Sequence, residues 1–274
     1  MSQNAIITYV YPEALSYLEA FCKTLDNQDY QDFAVIIFND GVDGEVLKKS
    51  LPDKYKVINI SGTIVEVRVR SLNILKELFY KKYLFADIDD TMTANRARLI
   101  FTRLNDFDLV CNDLNLMTDS EEVFSQNIWM SRLDSNFKFD FEFIKRKNIV
   151  GFGNTGINKK LLLSDFKYDP NPIVADWFIF YQLMEKSRCN ALFVSECQTN
   201  YRQHAHNDAG IKAITKERLI HVCDVIQKHH KGLNAIGYSF AEDHCLNINE
   251  LNLKDNYNVT PFWWEEIEIA YEKN

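Results

Sequence analysis

The strongest constraint on this chain is the rhythm of its N-terminal part, where short, continuously apolar segments alternate with amphipathic ones. "AIITYV" (5–10), "FAVIIFND" (33–40), "YKVINI" (55–60) and "YLFADID" (83–89) read as buried strands. Between them, 12–25 carries Pro12 where a first helical turn would begin, with apolar residues at 15, 18, 21, 22 and 25. Stretches near 43–50 and over 65–80 read as two further helices. Strands without polar alternation need cover on both faces, so the rhythm predicts an α/β domain with a mostly parallel central sheet flanked by helices. Ligands of such sheets sit beyond the carboxyl ends of the strands. The polar exits of the second and fourth strands, Asn39-Asp40 and Asp87-Ile88-Asp89-Asp90, are therefore expected to face one crevice.

Downstream, 94–104 reads as a helix and 107–117 as a strand, while 118–150 yields no assignment. Segments 157–165 and 174–187 look helical, 191–204 reads as a strand leading into a polar loop, and 213–230 is an amphipathic helix. His221, His229 and His230 on or near that helix are expected on a solvated face with its lysines. The tail closes in "PFWWEEIEIAYEKN", read as one more helix in which Trp263 and Trp264 complete a C-terminal core.

Composition removes some functions. A net charge of −8 excludes a general nucleic-acid binder, yet permits a nucleotide held through a divalent metal. Six cysteines (22, 111, 189, 197, 223 and 245) form no C-x-x-C pair, which fits thiols in a reducing compartment. No apolar run approaches the roughly 18 residues of a membrane span, and the N-terminus lacks signal-peptide features. The expectation is a cytoplasmic protein, with peripheral attachment to the inner face of a membrane left open.

The run "ADIDDT" (86–91) concentrates the chemistry. As D-x-D-x-T it matches the nucleophile motif of haloacid-dehalogenase-type phosphatases, with Asp87 attacking phosphorus, Asp89 protonating the leaving group and Mg²⁺ screening charge. That chemistry also requires a lysine and a later acidic pair, whereas "VCNDLNL" offers only Asp113 and "VADWF" only Asp176. As D-x-D at a strand end, the same residues can hold Mg²⁺ or Mn²⁺ against a diphosphate. A solvated acidic turn is the plain alternative.

Taken in order, the motifs resemble those of the family 2 glycosyltransferases, rhamnosyltransferase-like members included. "IITYVYPEALSYLEAFCKTLDNQDYQDFAVIIFNDGVDG" is similar to the family's opening strand, helix, S-x-x-x-Q turn and second strand, with Thr24 and Gln28 on the S and Q positions. "SGTIVEVRVRSLNIL" (61–75) resembles its arginine-containing segment, with Arg70 on the arginine. "YLFADIDDTM" resembles FxDxDD, "IVADWFIFYQL" the later acidic motif, and "NYRQHAHNDAG" (200–210) the YRQHxxN segment. Asn39 stands where many members have aspartate, and Ala175 where they have glutamate or histidine.

The resemblance implies a GT-A fold, Rossmann-like, over residues 1–210, followed by a mostly helical extension, 211–274, packed on it. It implies an inverting glycosyltransferase that uses a UDP- or dTDP-linked sugar with Mn²⁺ or Mg²⁺. The acceptor would be a saccharide or lipid-linked saccharide. Thr8, Tyr9 and Asp40 would hold the base, Arg70 would approach the nucleotide, and Asp87 would grip the ribose. Asp87, Asp89 and His204 would bind the metal, with His206 nearby, and Asp176 would be the general base. An N-cap role for Asp176 is its plain alternative. A GT-A-like protein that binds sugar nucleotides or carbohydrate without turnover is the non-enzymatic alternative.

Overall fold

The structure, a computed structural model, describes residues 2–130, 132–145, 147–163, 166–167, 174–203 and 215–240. The chain opens with four mutually parallel strands, β1 (Asn4–Val10), β2 (Ala34–Asn39), β3 (Lys56–Asn59) and β4 (Lys82–Phe85). The helices between them are α1 (Leu18–Asp26), α2 (Gly44–Ser50) and α3 (Ile64–Glu77). The later elements are β5 (Thr91–Met92), α4 (Arg96–Arg103), β6 (Leu109–Met117), β7 (Val123–Ser125), β8 (Lys138–Phe139), β9 (Thr155–Asn158), α5 (Ala175–Ser187), β10 (Ala191–Arg202) and α6 (Lys216–Ala235). All ten strands join one sheet in the order β3-β2-β1-β4-β9-β6-β10-β5, with β7 on β6 and β8 on β10.

The sheet is covered on both faces, as its unbroken apolar strands require. Successive side chains of β1 alternate between two cores: Ala5, Ile7 and Tyr9 pack with α3 and α5, whereas Ile6 and Val10 pack with α1 and α4. Local chemistry fixes where helices begin. Asp43 accepts from the N–H groups of Glu45 and Val46 ahead of α2, and Thr63 forms a capping box with Glu66 at α3.

Four expectations are corrected. The single helix expected over 12–25 is split into a 3-10 turn, Pro12–Tyr17, followed by α1. The fourth strand stops at Phe85 rather than continuing to 89, because the Asp90 N–H folds back onto the Asp87 carbonyl (3.3 Å) and turns the acidic run out of the sheet. The helix expected over 157–165 is instead strand β9 followed by a 3-10 turn, Lys159–Leu163. β9 runs antiparallel between β4 and β6 and satisfies both edges, and Gly156 lets it lie so close to α4 that a Cβ there would collide with Ile100.

The fourth correction concerns α6. His229 and His230 are buried, not solvated, because α6 packs on α5. The His229 ring stacks on Trp177 at 3.8 Å between centroids, and His230 shares a hydrogen bond with the Lys145 carbonyl. Residues 204–214 and 241–274, which include His204, His206, Cys245, Trp263 and Trp264, lie outside the described residues. Among the described residues no helix is long and apolar enough to cross a membrane.

Both ring nitrogens of His229 are buried without a hydrogen-bond partner among the described residues, and burial holds its pKa well below the ordinary value. The unfolded chain takes up this proton near pH 6.5 and the folded chain does not, so stability present above that pH is lost as the pH falls. Denaturant titrations from about pH 7 down to about pH 5 should show this loss. The wild-type slope below about pH 6.5 should exceed that of His229→Phe by about 1.4 kcal/mol per pH unit.

Candidate active site

Three carboxylates from two distant parts of the chain meet on a strap of backbone at 151–153. Asp87 and Asp90 lie in the turn after β4, and Asp176 lies in the first turn of α5, where the helix dipole favours negative charge. The Phe152 N–H donates to Asp176 Oδ2 at 3.0 Å. A Cβ on Gly151 would sit 3.2 Å from Asp176 Oδ2, and one on Gly153 would sit 2.8 Å from Asp87 Oδ2 and 3.2 Å from Asp90 Oδ2. The missing side chains thus let the backbone approach all three acids. Asn154 clamps the strap, accepting from the Gly151 N–H and donating to the carbonyls of Asn112 and Ile149. Thr199 Oγ1 donates to the Gly153 carbonyl at 2.9 Å.

Three arginines surround this acidic turn. Arg68, on α3, pairs with Asp87 Oδ1 at 3.4 Å and lies over the Tyr9 ring, 3.4 Å from its centroid, with the Phe152 ring 4.9 Å away. Its Nε and Nη1 are buried with no hydrogen-bond partner among the described residues. Arg96 is fully buried beneath the turn, bonded to Asn112 Oδ1 and to the Phe85 carbonyl that ends β4. Arg202, at the end of β10, donates its backbone N–H to Asp90 Oδ1 and its Nε to the Asp89 carbonyl.

Burial raises the pKa of Asp87 to about 7, against the pull of Arg68 and with help from Asp176 and Asp89. Asp90 is pushed well above the carboxylate range, first by burial and then by repulsion from Asp89 and Asp87. Asp176 is raised by burial, while Arg68 and the Phe152 N–H hold it down. Burial brings Arg96 down to about 10.

The other candidates from the sequence divide clearly. Thr8 is fully enclosed within β1, and Tyr9 is buried with its hydroxyl bonded to Ser71 Oγ at 2.6 Å, so Arg68 rests on Tyr9. Asp40 is half-buried at the carboxyl ends of β1 and β2, its N–H bonded to the Val10 carbonyl. Asn39 is structural: its side chain bonds Val42 N, Val42 O and Asn59 Oδ1. Arg70 is exposed and bonded to the Ser61 carbonyl; Arg68 is the arginine that α3 turns toward Asp87. Thr24 and Gln28 are clamps, binding the backbone of Met92 and of Thr93 and Ala97, just after the acidic turn.

Sequence reasoning placed Asp90 in the crevice without giving it a role, and it missed Arg68, Tyr11 and the strap. Helical phase carries a signal for Arg68, since Val65, Leu72 and Leu75 define the inward face and 68 lies between them, whereas Glu66, Arg70 and Asn73 lie outward. Tyr11 is partly exposed beyond β1, and burial with the nearby charges of Asp89 and Asp87 raises its pKa.

Among the described residues no group of three or more Asp, Glu, His or Cys side chains is arranged to hold a metal by itself. Asp87 Oδ2 and Asp90 Oδ2 nevertheless converge on Gly153, and Asp90 Oδ2 is buried with no hydrogen-bond partner among the described residues. One or two carboxylates completed by phosphate oxygens is the donor set that Mg²⁺-type ions take, so the residues fit a cation that arrives with a diphosphate.

No family model and no curated protein sequence matches the chain. Solved structures do. One is S. aureus TarS 1-349 in complex with UDP-GlcNAc, with a TM-score of 0.56 and 13% identity, covering 89% of this chain and 69% of that one. Another is GalNAc-T7 with UDP, GalNAc and Mn²⁺, with a TM-score of 0.57 and 12% identity, covering 98% of this chain and 57% of that one. A further TarS structure matches with a TM-score of 0.54 and 13% identity, covering 91% of this chain and 42% of the other. The fold is the GT-A glycosyltransferase fold. The acidic turn follows the fourth strand, β4, and not a first strand as the phosphatase reading would have it.

The strap gives a direct test. In Gly153→Ala the new methyl would press on the Asp87 carboxylate that Arg68 pins, and about 1–3 kcal/mol of stability should be lost in denaturant titrations. Gly44→Ala, with nothing within 4 Å, should cost nothing measurable or stabilise by up to about 1 kcal/mol.

Proposed function

We propose that this protein is an inverting glycosyltransferase that moves a sugar from a UDP- or dTDP-linked donor to a saccharide or lipid-linked saccharide acceptor. The observation that carries the reading is the convergence of Asp87, Asp90 and Asp176 on the 151–153 strap, at the carboxyl edge of a GT-A sheet. The UDP, UDP-GlcNAc and Mn²⁺ held by the similar structures, and the ordered motifs of the family 2 enzymes, support it.

Tyr11 and Asp40, beyond β1 and β2, receive the nucleoside, with Thr8 and Tyr9 behind them. Arg68 takes the part that the resemblance gives Arg70, because its unsatisfied Nε and Nη1 offer donors to a diphosphate beside Asp87. Asp87 and Asp89, with Asp90 and His204, would hold Mn²⁺ or Mg²⁺, which when bound neutralises charge on the leaving diphosphate. Asp176 accepts the proton of the acceptor hydroxyl. Phe152 N–H fixes Oδ2, which leaves Oδ1 for that transfer, and burial strengthens the base. The acceptor oxygen forms its bond to the anomeric carbon as the carbon–oxygen bond to the diphosphate breaks on the opposite face, which inverts the configuration.

A binding-only GT-A protein is the second reading. It is favoured by Ala175 beside the candidate base and by Asn39, whose side chain is consumed by structural hydrogen bonds. Calorimetry with UDP and dTDP should show binding that requires Mn²⁺ and is lost in Asp89→Ala. Asp176→Asn should keep that binding and lower transfer or donor hydrolysis about 10²–10⁴-fold. Failure to bind either nucleoside diphosphate would sink the proposal, while binding without wild-type turnover on any acceptor would select the second reading.

A further inference from the structure

Arg202 makes more connections around the acidic turn than any ligand role assigned above requires. Its side chain is 1% exposed, yet its fork reaches two separate turns. Toward the acidic turn, Nε donates to the Asp89 carbonyl at 2.6 Å and the backbone N–H donates to Asp90 Oδ1 at 2.8 Å. Toward the turn after β6, Nη1 donates to the Asp119 carbonyl at 2.6 Å, and Nη2 pairs with Glu121 at 3.5 Å. The guanidinium also lies 4.8 Å from the centroid of Tyr17, whose hydroxyl donates to Asp119 Oδ1 at 3.1 Å. The bond to Asp90 Oδ1 leaves Oδ2 as the oxygen beside Gly153, and the bond to the Asp89 carbonyl fixes the peptide that carries the Asp89 side chain.

We propose that Arg202 is a positioning residue that holds the Asp89-Asp90 turn in its cation-binding shape and ties it to the turn at 118–121. The inference rests on the metal-bearing site described under Proposed function, but it assigns Arg202 neither to the cation nor to the sugar. Planar guanidinium geometry is essential to it. Nε and Nη1 bond carbonyls on two different turns at once, which a lysine ammonium on a flexible stem does not reproduce. Residues that orient metal ligands typically change metal affinity about 10–100-fold when removed.

The test is a Mn²⁺ titration of the full chain, with and without UDP, read by the electron paramagnetic resonance of bound against free Mn²⁺. Arg202→Met and Arg202→Lys should both bind Mn²⁺ about 10–100-fold more weakly than wild type. Tyr17→Leu, which removes the ring beneath the guanidinium and its bond to Asp119, should shift affinity in the same direction by a smaller factor. It stands in for Arg202→Met if that variant fails to fold. Wild-type affinity in Arg202→Lys would show that charge alone suffices and would overturn positioning. Unchanged affinity in both Arg202→Lys and Tyr17→Leu would overturn the inference while leaving the metal site intact. Wild-type protein that binds no Mn²⁺, alone or with UDP, would overturn the metal site and this inference together.

Discussion

Four aspartates and three arginines share the crevice at the carboxyl edge of the sheet, and the rest of the structure is organised around keeping them there. Carboxylates taken out of water repel one another and favour protonation, and Asp87, Asp90 and Asp176 all show that pressure in raised pKa values. Opposite charge and backbone N–H groups relieve it. Arg68, Arg96, Arg202 and the Phe152 N–H supply both, from α3, α4, β10 and the glycine strap. None of these groups is close in sequence to another, so the acidic turn is balanced only once the sheet has closed.

That dependence explains features remote from the crevice. Thr24 and Gln28 fasten α1 to the backbone that follows the acidic turn. β9 fills the gap between β4 and β6, and its preceding loop becomes the strap on which the acids meet. Trp177, next to Asp176, is held by a hydrogen bond from its Nε1 to the Ile144 carbonyl and by the His229 ring. The first turn of α5 is thereby packed against α6, a helix some 40 residues further along the chain.

Much of the fold was legible because its signals are local. Unbroken apolar strands announced a sheet covered on both faces, and Pro12 marked a first helical turn. Asp87 and Asp89 stood out as carboxylates at a strand end, and Asp176 through the resemblance to the later acidic motif of the family 2 glycosyltransferases. β9 was misread because Ile157, Leu161 and Leu162 repeat at a helical spacing, while the unsatisfied edges of β4 and β6 that demand a strand there are not written in that segment. His229 and His230 were misread for a related reason: their neighbours in sequence are charged, and their neighbours in space are Trp177 and Phe240.

The sequence by itself determined that strands and helices would alternate and that carboxylates would leave the sheet at its carboxyl edge. Hydrophobic periodicity and turn chemistry act over a few residues, so they can be read from a few residues. Helical phase already turned Arg68 rather than Arg70 inward, but tertiary structure alone decided that Arg68 meets Asp87, that Asp90 is buried with one oxygen committed to Arg202, and that Gly151 and Gly153 bring the backbone against three acids. Those outcomes depend on charge balance and close approach between segments far apart in the chain. Only the folded packing brings those segments within a few ångströms of one another.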